Sequence, residues 1–426
     1  MTKINSYWNN IFEKYKILDQ IDKDGKFEIS ASQINEFKEA RLMTKFDNAS
    51  QLPRIFTEHE LSILPITRGN YVIAPMDIFH KFPMIESSNE ISYFNFPDNI
   101  QTLLPDNINS ESLALNAVYI SGILEDFIQD EKLLPTINGR MSSSLFNFNI
   151  KNKKTKKILN INVNNAQIEI DAGYEGVESF SIIEAKSHFA DDFVIRQLYY
   201  PMRLWASRVR KNIKTIFMVH TNGIYYLYDF KFNDLTNYNS LTLNKFKRYS
   251  FDRLEINIED LEKIILNTRL VNEPEIPFPQ ADSFERIINL CELLNQKELT
   301  KNDVTIEYGF DKRQTDYYLN ACKYLDLVEE KDSKFLLSST AKRIMQQSPT
   351  TKQLAFAKQI LCHPVFSDVL KKQLETGAVV SKQQIIDIMK KYPLFNVKTY
   401  KTFHRRASTV SSWIDWITSL ISNTTV

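Results

Sequence analysis

Apolar and polar residues recur with two different periods along the 426-residue chain, and the change from one period to the other marks its organisation. Residues 5–17 and 30–46 carry helical spacing. Residues 61–74, LSILPITRGNYVIA, read as strand, turn, strand, with Arg68-Gly69-Asn70 as the turn. An amphipathic helix is predicted over 111–130. Leu145 to Ile150 alternates and is expected to be the first strand of a sheet. Gln167-Ile168-Glu169-Ile170-Asp171 and Ile182-Ile183-Glu184-Ala185-Lys186 are two short β-branched runs with Gly173 and Gly176 between them, which predicts neighbouring strands. A helix is expected over 189–209, a buried central strand over 213–220 and a more peripheral strand over 224–232.

Pro274, Pro277 and Pro279 stiffen residues 272–282 into a linker. Beyond it, helices at 283–295, 300–307 and 312–326, a turn at Gly309-Phe310 and a hairpin over 328–337 resemble a winged helix. Residues 350–426 read as largely helical, closing on the amphipathic stretch 408–422, whose Trp413 and Trp416 suit a core. Four segments result: an N-terminal α+β region over 1–105, a second unit over 106–271, the winged helix over 283–347 and a helical region over 350–426 with a candidate second helix-turn-helix.

Length and composition fit a multidomain globular protein of mixed α+β or α/β class, with 43% hydrophobic and 25% charged residues. No apolar run is long enough for a transmembrane helix, and the first residues lack a signal-peptide core. Cys291, Cys322 and Cys362 form neither a disulfide framework nor a CxxC zinc pattern, so they are read as buried thiols in a reducing cytoplasm. A net charge of +1 leaves clustering, not total charge, as the guide to partners. Walker A, GxGxxG, HExxH and GxSxG motifs are all absent from the sequence.

Chemistry concentrates on the two β-branched runs. Side chains alternate along a strand, so Glu169 shares a face with Asp171, and Glu184 with Lys186. If the strands are adjacent, Asp171, Glu184 and Lys186 meet at one end of the sheet. Two carboxylates there suit a hard divalent cation, Mg²⁺ above all, beside a lysine able to orient a water for attack on phosphorus.

An Asp, a gap, an apolar run and then Glu-x-Lys resembles the PD-(D/E)XK nuclease superfamily, with Ile170 where many members carry proline. The longer string IEIDAGYEG…SIIEAK…IRQLYYP is similar to type II restriction endonucleases. The resemblance implies a restriction-endonuclease-like mixed β-sheet core flanked by helices, with Asp171, Glu184 and the Ala185 carbonyl as metal ligands, Lys186 activating the water, and Gln197 supporting it. It also implies Mg²⁺ as cofactor with Mn²⁺ substituting, double-stranded DNA as substrate, a homodimer on DNA, and a cognate DNA methyltransferase in the host. Nucleases of this type open with a helix that in some members adds an acidic residue; Glu125 is the candidate, and Glu169 a second.

Flanking positions supply candidate DNA contacts. In the N-terminal region these are Arg41, Arg54 and Arg68, with Lys45 and Lys81 near turns and Phe46, Phe56 and Tyr71 interleaved. The string EARLMTKFD…LPRIF…LSILPITRGNYVI resembles the N-terminal region of restriction-enzyme-like proteins. Lys312, Arg313, Gln314 and Tyr317 open the expected recognition helix. Lys398, Lys401, Arg405 and Arg406 lie in a basic, aromatic-rich segment. The lysine-rich run 151–157 reads as a solvated loop. A sequence-specific endonuclease is therefore the expected function. Its alternatives are a structure-selective or modified-DNA-dependent nuclease, and a non-catalytic DNA-binding regulator on a nuclease scaffold.

Overall fold

The computed structural model describes residues 3–83, 91–252, 256–308 and 312–421, and these form a mixed α+β architecture. Contacts divide the chain into two compact units. One comprises 1–99, 110–220 and 225–249; the other comprises 100–109, 221–224 and 250–426. No helix among the described residues is long and apolar enough to cross a membrane.

A seven-stranded sheet dominates the first unit. Its spatial order is Ile91–Tyr93, Leu241–Ser250, Ile224–Phe232, Asn212–Thr221, Ser179–Lys186, Gln167–Glu175, Leu134–Ser142. The two β-branched runs are neighbours and antiparallel, with Ile183 opposite Ala172 and Phe180 opposite Glu175. Strand Ser179–Lys186 also pairs in parallel with Asn212–Thr221, from Ser179 opposite Asn212 to Lys186 opposite Val219. Helix Arg196–Ala206 makes the crossover that a parallel pair requires. Its Trp205 packs with Ile213 against buried Ile170, Phe180 and Ile182.

Several elements differ from the expectation. Leu145–Ile150 does form a strand (Phe146–Lys151), but it pairs with Ile158–Val163 in a separate hairpin. Alternation predicts a strand without naming its partner; here Phe146 and Phe148 turn inward against Tyr200 and Tyr238, with ring centroids 5.3 and 5.2 Å apart. The sheet takes Leu134–Ser142 in its place. Strand Ile224–Phe232 is interior rather than peripheral, because Leu241–Ser250 pairs outside it, and its Tyr225, Tyr226 and Tyr228 are buried. The helix expected over 111–130 breaks at Gly122, whose φ of 82° is left-handed, giving Glu111–Ile120 and Ile123–Ile128. The helix expected over 189–209 starts only at Arg196, since Asp192–Val194 pairs with Phe79–Lys81.

The N-terminal residues also fold differently in detail. Lys3–Lys14 and Ile17–Asp24 are separate helices divided at left-handed Lys16. Residues 30–46 hold only the short helices Ala31–Asn35 and Ala40–Thr44. Strands Ser62–Pro65 and Asn70–Ala74 form around the expected turn. Trp8, Phe12 and Phe56 meet edge to face in the core here.

In the second unit, helices Phe284–Gln296, Lys301–Glu307 and Lys312–Tyr324 precede a hairpin of Val328–Lys331 and Lys334–Leu337, to which Leu299–Thr300 adds a third strand. Ser283 and Thr300 cap the first two helices through their hydroxyls. Leu319, Cys322 and Leu325 face inward. The expected turn at Gly309-Phe310 lies outside the described residues. Helices Pro349–Leu361, Pro364–Thr376, Lys382–Met389 and Tyr400–Ser419 complete the unit, and Trp413 and Trp416 are in its core.

Candidate active site

The antiparallel ladder between the two central runs ends at the Ile183–Ala172 pair. Beyond it Asp171 Oδ2 takes the place of a ladder carbonyl and accepts the Ala185 amide at 2.8 Å. Glu184 is buried with 7% of its surface exposed. Its Oε1 accepts from Lys186 Nζ at 2.5 Å and from Gln197 Nε2 at 2.5 Å. Lys186 Nζ also donates to the Ala185 carbonyl at 3.2 Å. Gln197 arrives on the first turn of the crossover helix, and its Oε1 is buried with no hydrogen-bond partner. Asp171, Glu184, Lys186 and Gln197 thus converge at one end of the two strands.

Burial pushes the Glu184 carboxyl above its ordinary range, with Lys186 opposing the effect and Asp171 adding to it. Burial works against the Lys186 charge, but Glu184, Glu111, Asp171 and Asp47 outweigh it and hold the ammonium well above its ordinary range. Lys186 is therefore a cation and a donor at neutral pH. An ammonium has three donors; two are engaged by Glu184 and Ala185, and one is left for a ligand.

Glu111 is the acidic residue that sequence reasoning missed. It opens the helix capped by Ser110, and burial raises its carboxyl while Lys186 lowers it and Asp171 raises it further. A hydrogen bond from the Ser187 backbone ties it to the end of the motif strand. The signal available was an acidic residue directly after a Ser N-cap, which marks the helix end that projects its dipole. Glu125 lies instead on the exposed side of the next short helix. Glu169 is solvent-facing and pairs with Arg140 at 3.3 Å.

These groups line a cleft of about 550 Å³. The N-terminal residues contribute to its lining: Arg41, Lys45, Asp47 and Arg68 border it together with Arg140 and Arg196. Arg54 does not border it and pairs with Glu58 at 2.6 Å. Phe46 and Phe56 are core residues, which leaves Tyr71 as the N-terminal aromatic on the cleft.

The donor set suits a hard cation in its chemistry: carboxylate oxygens and one main-chain carbonyl, with no thiolate or imidazole among them. Gln197 Oε1, buried and unpartnered, is a further oxygen beside Glu184. Among the described residues no three His, Cys, Asp or Glu side chains converge closely enough to form a metal cage. Mg²⁺ is commonly held by one or two carboxylates, with water and substrate phosphate completing its shell. Asp171 and Glu184 meet that requirement.

In the second unit Arg313 is exposed and stacks on Tyr317, its guanidinium carbon 5.4 Å from the ring centre, and Gln314 is half-buried. Lys312 begins the same helix. Lys398, Lys401 and Arg405 are exposed. Arg406 is buried, and burial lowers its guanidinium's hold on its proton, so it is a core residue and not a surface contact.

Three family models match the chain. Residues 5–73 match a domain of unknown function (DUF6996), residues 74–250 another (DUF6997) and residues 286–422 a third (DUF7226). The acidic cluster falls in the second of these, and the basic residues Arg41, Lys45 and Arg68 that line the same cleft fall in the first. No curated protein and no solved structure matches the chain.

Proposed function

We propose that the protein is a Mg²⁺-dependent DNA endonuclease of the restriction-enzyme type, with a PD-(D/E)XK core in the first unit and a winged helix in the second. The convergence of Asp171, Glu184, Lys186 and Gln197 on one cleft wall carries this reading. Asp171, Glu184 and the Ala185 carbonyl would hold the cation. Mg²⁺ supplies charge stabilisation at the scissile phosphate and acidifies water when bound. Lys186, already protonated, acts as a donor rather than a general base: its third N–H orients the attacking water or a phosphate oxygen. Gln197 fixes the Glu184 carboxylate and so the position of Lys186. Arg41, Lys45 and Arg68, which line the same cleft, provide phosphate contacts. Helix Lys312–Tyr324, with Arg313, Gln314 and Tyr317 near its start, would supply base reading. One cluster of this kind cuts one strand, so a double-strand break calls for a homodimer on the DNA or two successive nicks. A cytoplasmic enzyme of this type works beside a methyltransferase that protects the host site.

The test is incubation of wild type and Lys186→Ala with unmethylated plasmid and viral DNA, in Mg²⁺ and in EDTA. Discrete fragments are expected from wild type in Mg²⁺ alone, with the variant slower by at least about 100-fold and DNA binding retained. A smear would replace sequence specificity with structure selectivity. Cutting of modified DNA only would identify a modification-dependent enzyme. Binding without cutting in Mg²⁺ or Mn²⁺ would make the protein a regulator on a nuclease scaffold.

A further inference from the structure

A second concave site lies in the first unit, near the opposite end of the strand that carries Glu184 and Lys186. The parallel register sets Ser179 against Asn212 and Lys186 against Val219. At about 3.3 Å per residue the two ends of that strand are about 23 Å apart. At the Ser179 end a cleft of about 620 Å³ opens between the end of helix Ile123–Ile128, the far end of helix Arg196–Ala206 and the neighbouring strands. That volume is in the range of small-molecule sites.

Four lysines line it: Lys211, Lys214, Lys231 and Lys245. Lys211 is matched by Glu175 at 2.8 Å. Against the other three the cleft sets one carboxylate, Asp229, which is buried and accepts from Asn244 Nδ2 at 2.7 Å. Two of the lysines are held in place: Lys245 Nζ donates to the Phe127 carbonyl at 2.7 Å, and Lys214 Nζ donates to that of Ile128. Each retains donors beyond that bond. Burial, together with the nearby Lys247 and Lys214, lowers the Lys245 ammonium's hold on its proton against the opposing pull of Asp126 and Asp229, so like charge still crowds it. Gln129, Asn212 and Asn244 add amide groups to the rim.

We propose that this cleft binds a phosphate-bearing small molecule of nucleotide size, with Lys214, Lys231 and Lys245 on the phosphate and Asp229 accepting from a hydroxyl or amine of the remainder. Ammonium groups that outnumber the single carboxylate of the cleft select the anion, and that carboxylate, set among donors, favours a nucleoside phosphate over a bare oxyanion. This inference is independent of the nuclease reading, because no residue of the acidic cluster lines the cleft.

Isothermal titration calorimetry on the full chain in EDTA tests it, with the four ribonucleoside 5′-monophosphates, inorganic phosphate and a short DNA duplex as probes. At least one nucleotide is expected to bind wild type and Lys186→Ala with the same affinity. Its affinity is expected to fall by about tenfold or more in Lys245→Gln and in Lys231→Glu, as for loss of a charge-assisted contact. Lys231 is exposed, so the second variant reports on binding without removing the Lys245 bond to the Phe127 carbonyl. The proposal is overturned if no nucleotide binds at millimolar concentration, if inorganic phosphate binds as tightly as every nucleotide, or if affinity is lost in Lys186→Ala and kept in Lys231→Glu. It is also overturned if only the duplex responds to Lys231→Glu, which would assign the lysines to a nucleic-acid backbone.

Discussion

Glu111 and Glu125 stand fourteen positions apart, yet only the first shares an environment with Lys186. Glu111 joins Glu184 in holding the Lys186 ammonium charged and sets another carboxylate beside Asp171 and Glu184 in the cleft. Glu111→Gln keeps the size and the helix start but removes the charge. Its cleavage rate is expected to fall by about 10- to 100-fold, the usual effect of losing a group that tunes a metal site. Glu125→Gln is expected to match wild type. Cleavage rates over a Mg²⁺ titration decide the point: a Glu111→Gln rate within twofold of wild type at every Mg²⁺ concentration would remove Glu111 from the site.

Among the elements, the hairpin that brings Asp171 to Glu184 is closed by a residue from outside it. Asp130 accepts from the Val177, Glu178 and Ser179 amides at 3.1, 3.2 and 2.7 Å and from the Ser179 hydroxyl at 2.6 Å. Burial alone would raise this carboxyl, but bonds from Ser179, Glu178 and Glu131 lower it to about 2. Its contribution is therefore complete above its ordinary value of 3.8 and lost as pH falls through about 2. Asp130→Ala is expected to cost about 1–2 kcal/mol at neutral pH, the cost of leaving turn amides without their acceptor. Urea unfolding would show it, and an unchanged midpoint would dismiss the clamp. A Cβ at Gly176 would run into the Asp130 carboxylate, so Gly176→Ala acts on the same clamp. Strand identity was legible from the β-branched runs Gln167–Asp171 and Ile182–Lys186, because such side chains suit an extended, pleated backbone. Partner choice was not: Phe146–Lys151 alternates well yet leaves the sheet, since its pairing is decided by distant Tyr200 and Tyr238. The same holds for the site. Asp171, Glu184 and Lys186 are close in register and were legible together, whereas Glu111 reaches them only through tertiary packing.

Across the whole molecule, basic residues proposed to meet DNA lie in both units, and one group of them is on the last helix of the second. Lys401 and Arg405 are four residues apart on helix Tyr400–Ser419 and so share a face, and Lys398 directly precedes its Thr399 cap. Arg406 points into the core and is not part of that face. Under the proposed function these three exposed charges contact phosphates, and each phosphate neutralised releases about 0.9 counterion from duplex DNA. Replacing Lys398, Lys401 and Arg405 together by alanine is then expected to make the slope of log affinity against log salt shallower by about 2.7. Fluorescence anisotropy with a duplex in EDTA measures that slope. Because phosphate contacts do not read sequence, affinity for cognate and random duplex should fall by the same factor. An unchanged slope would show that this face does not touch the DNA. A loss confined to one sequence would instead place these residues at base edges.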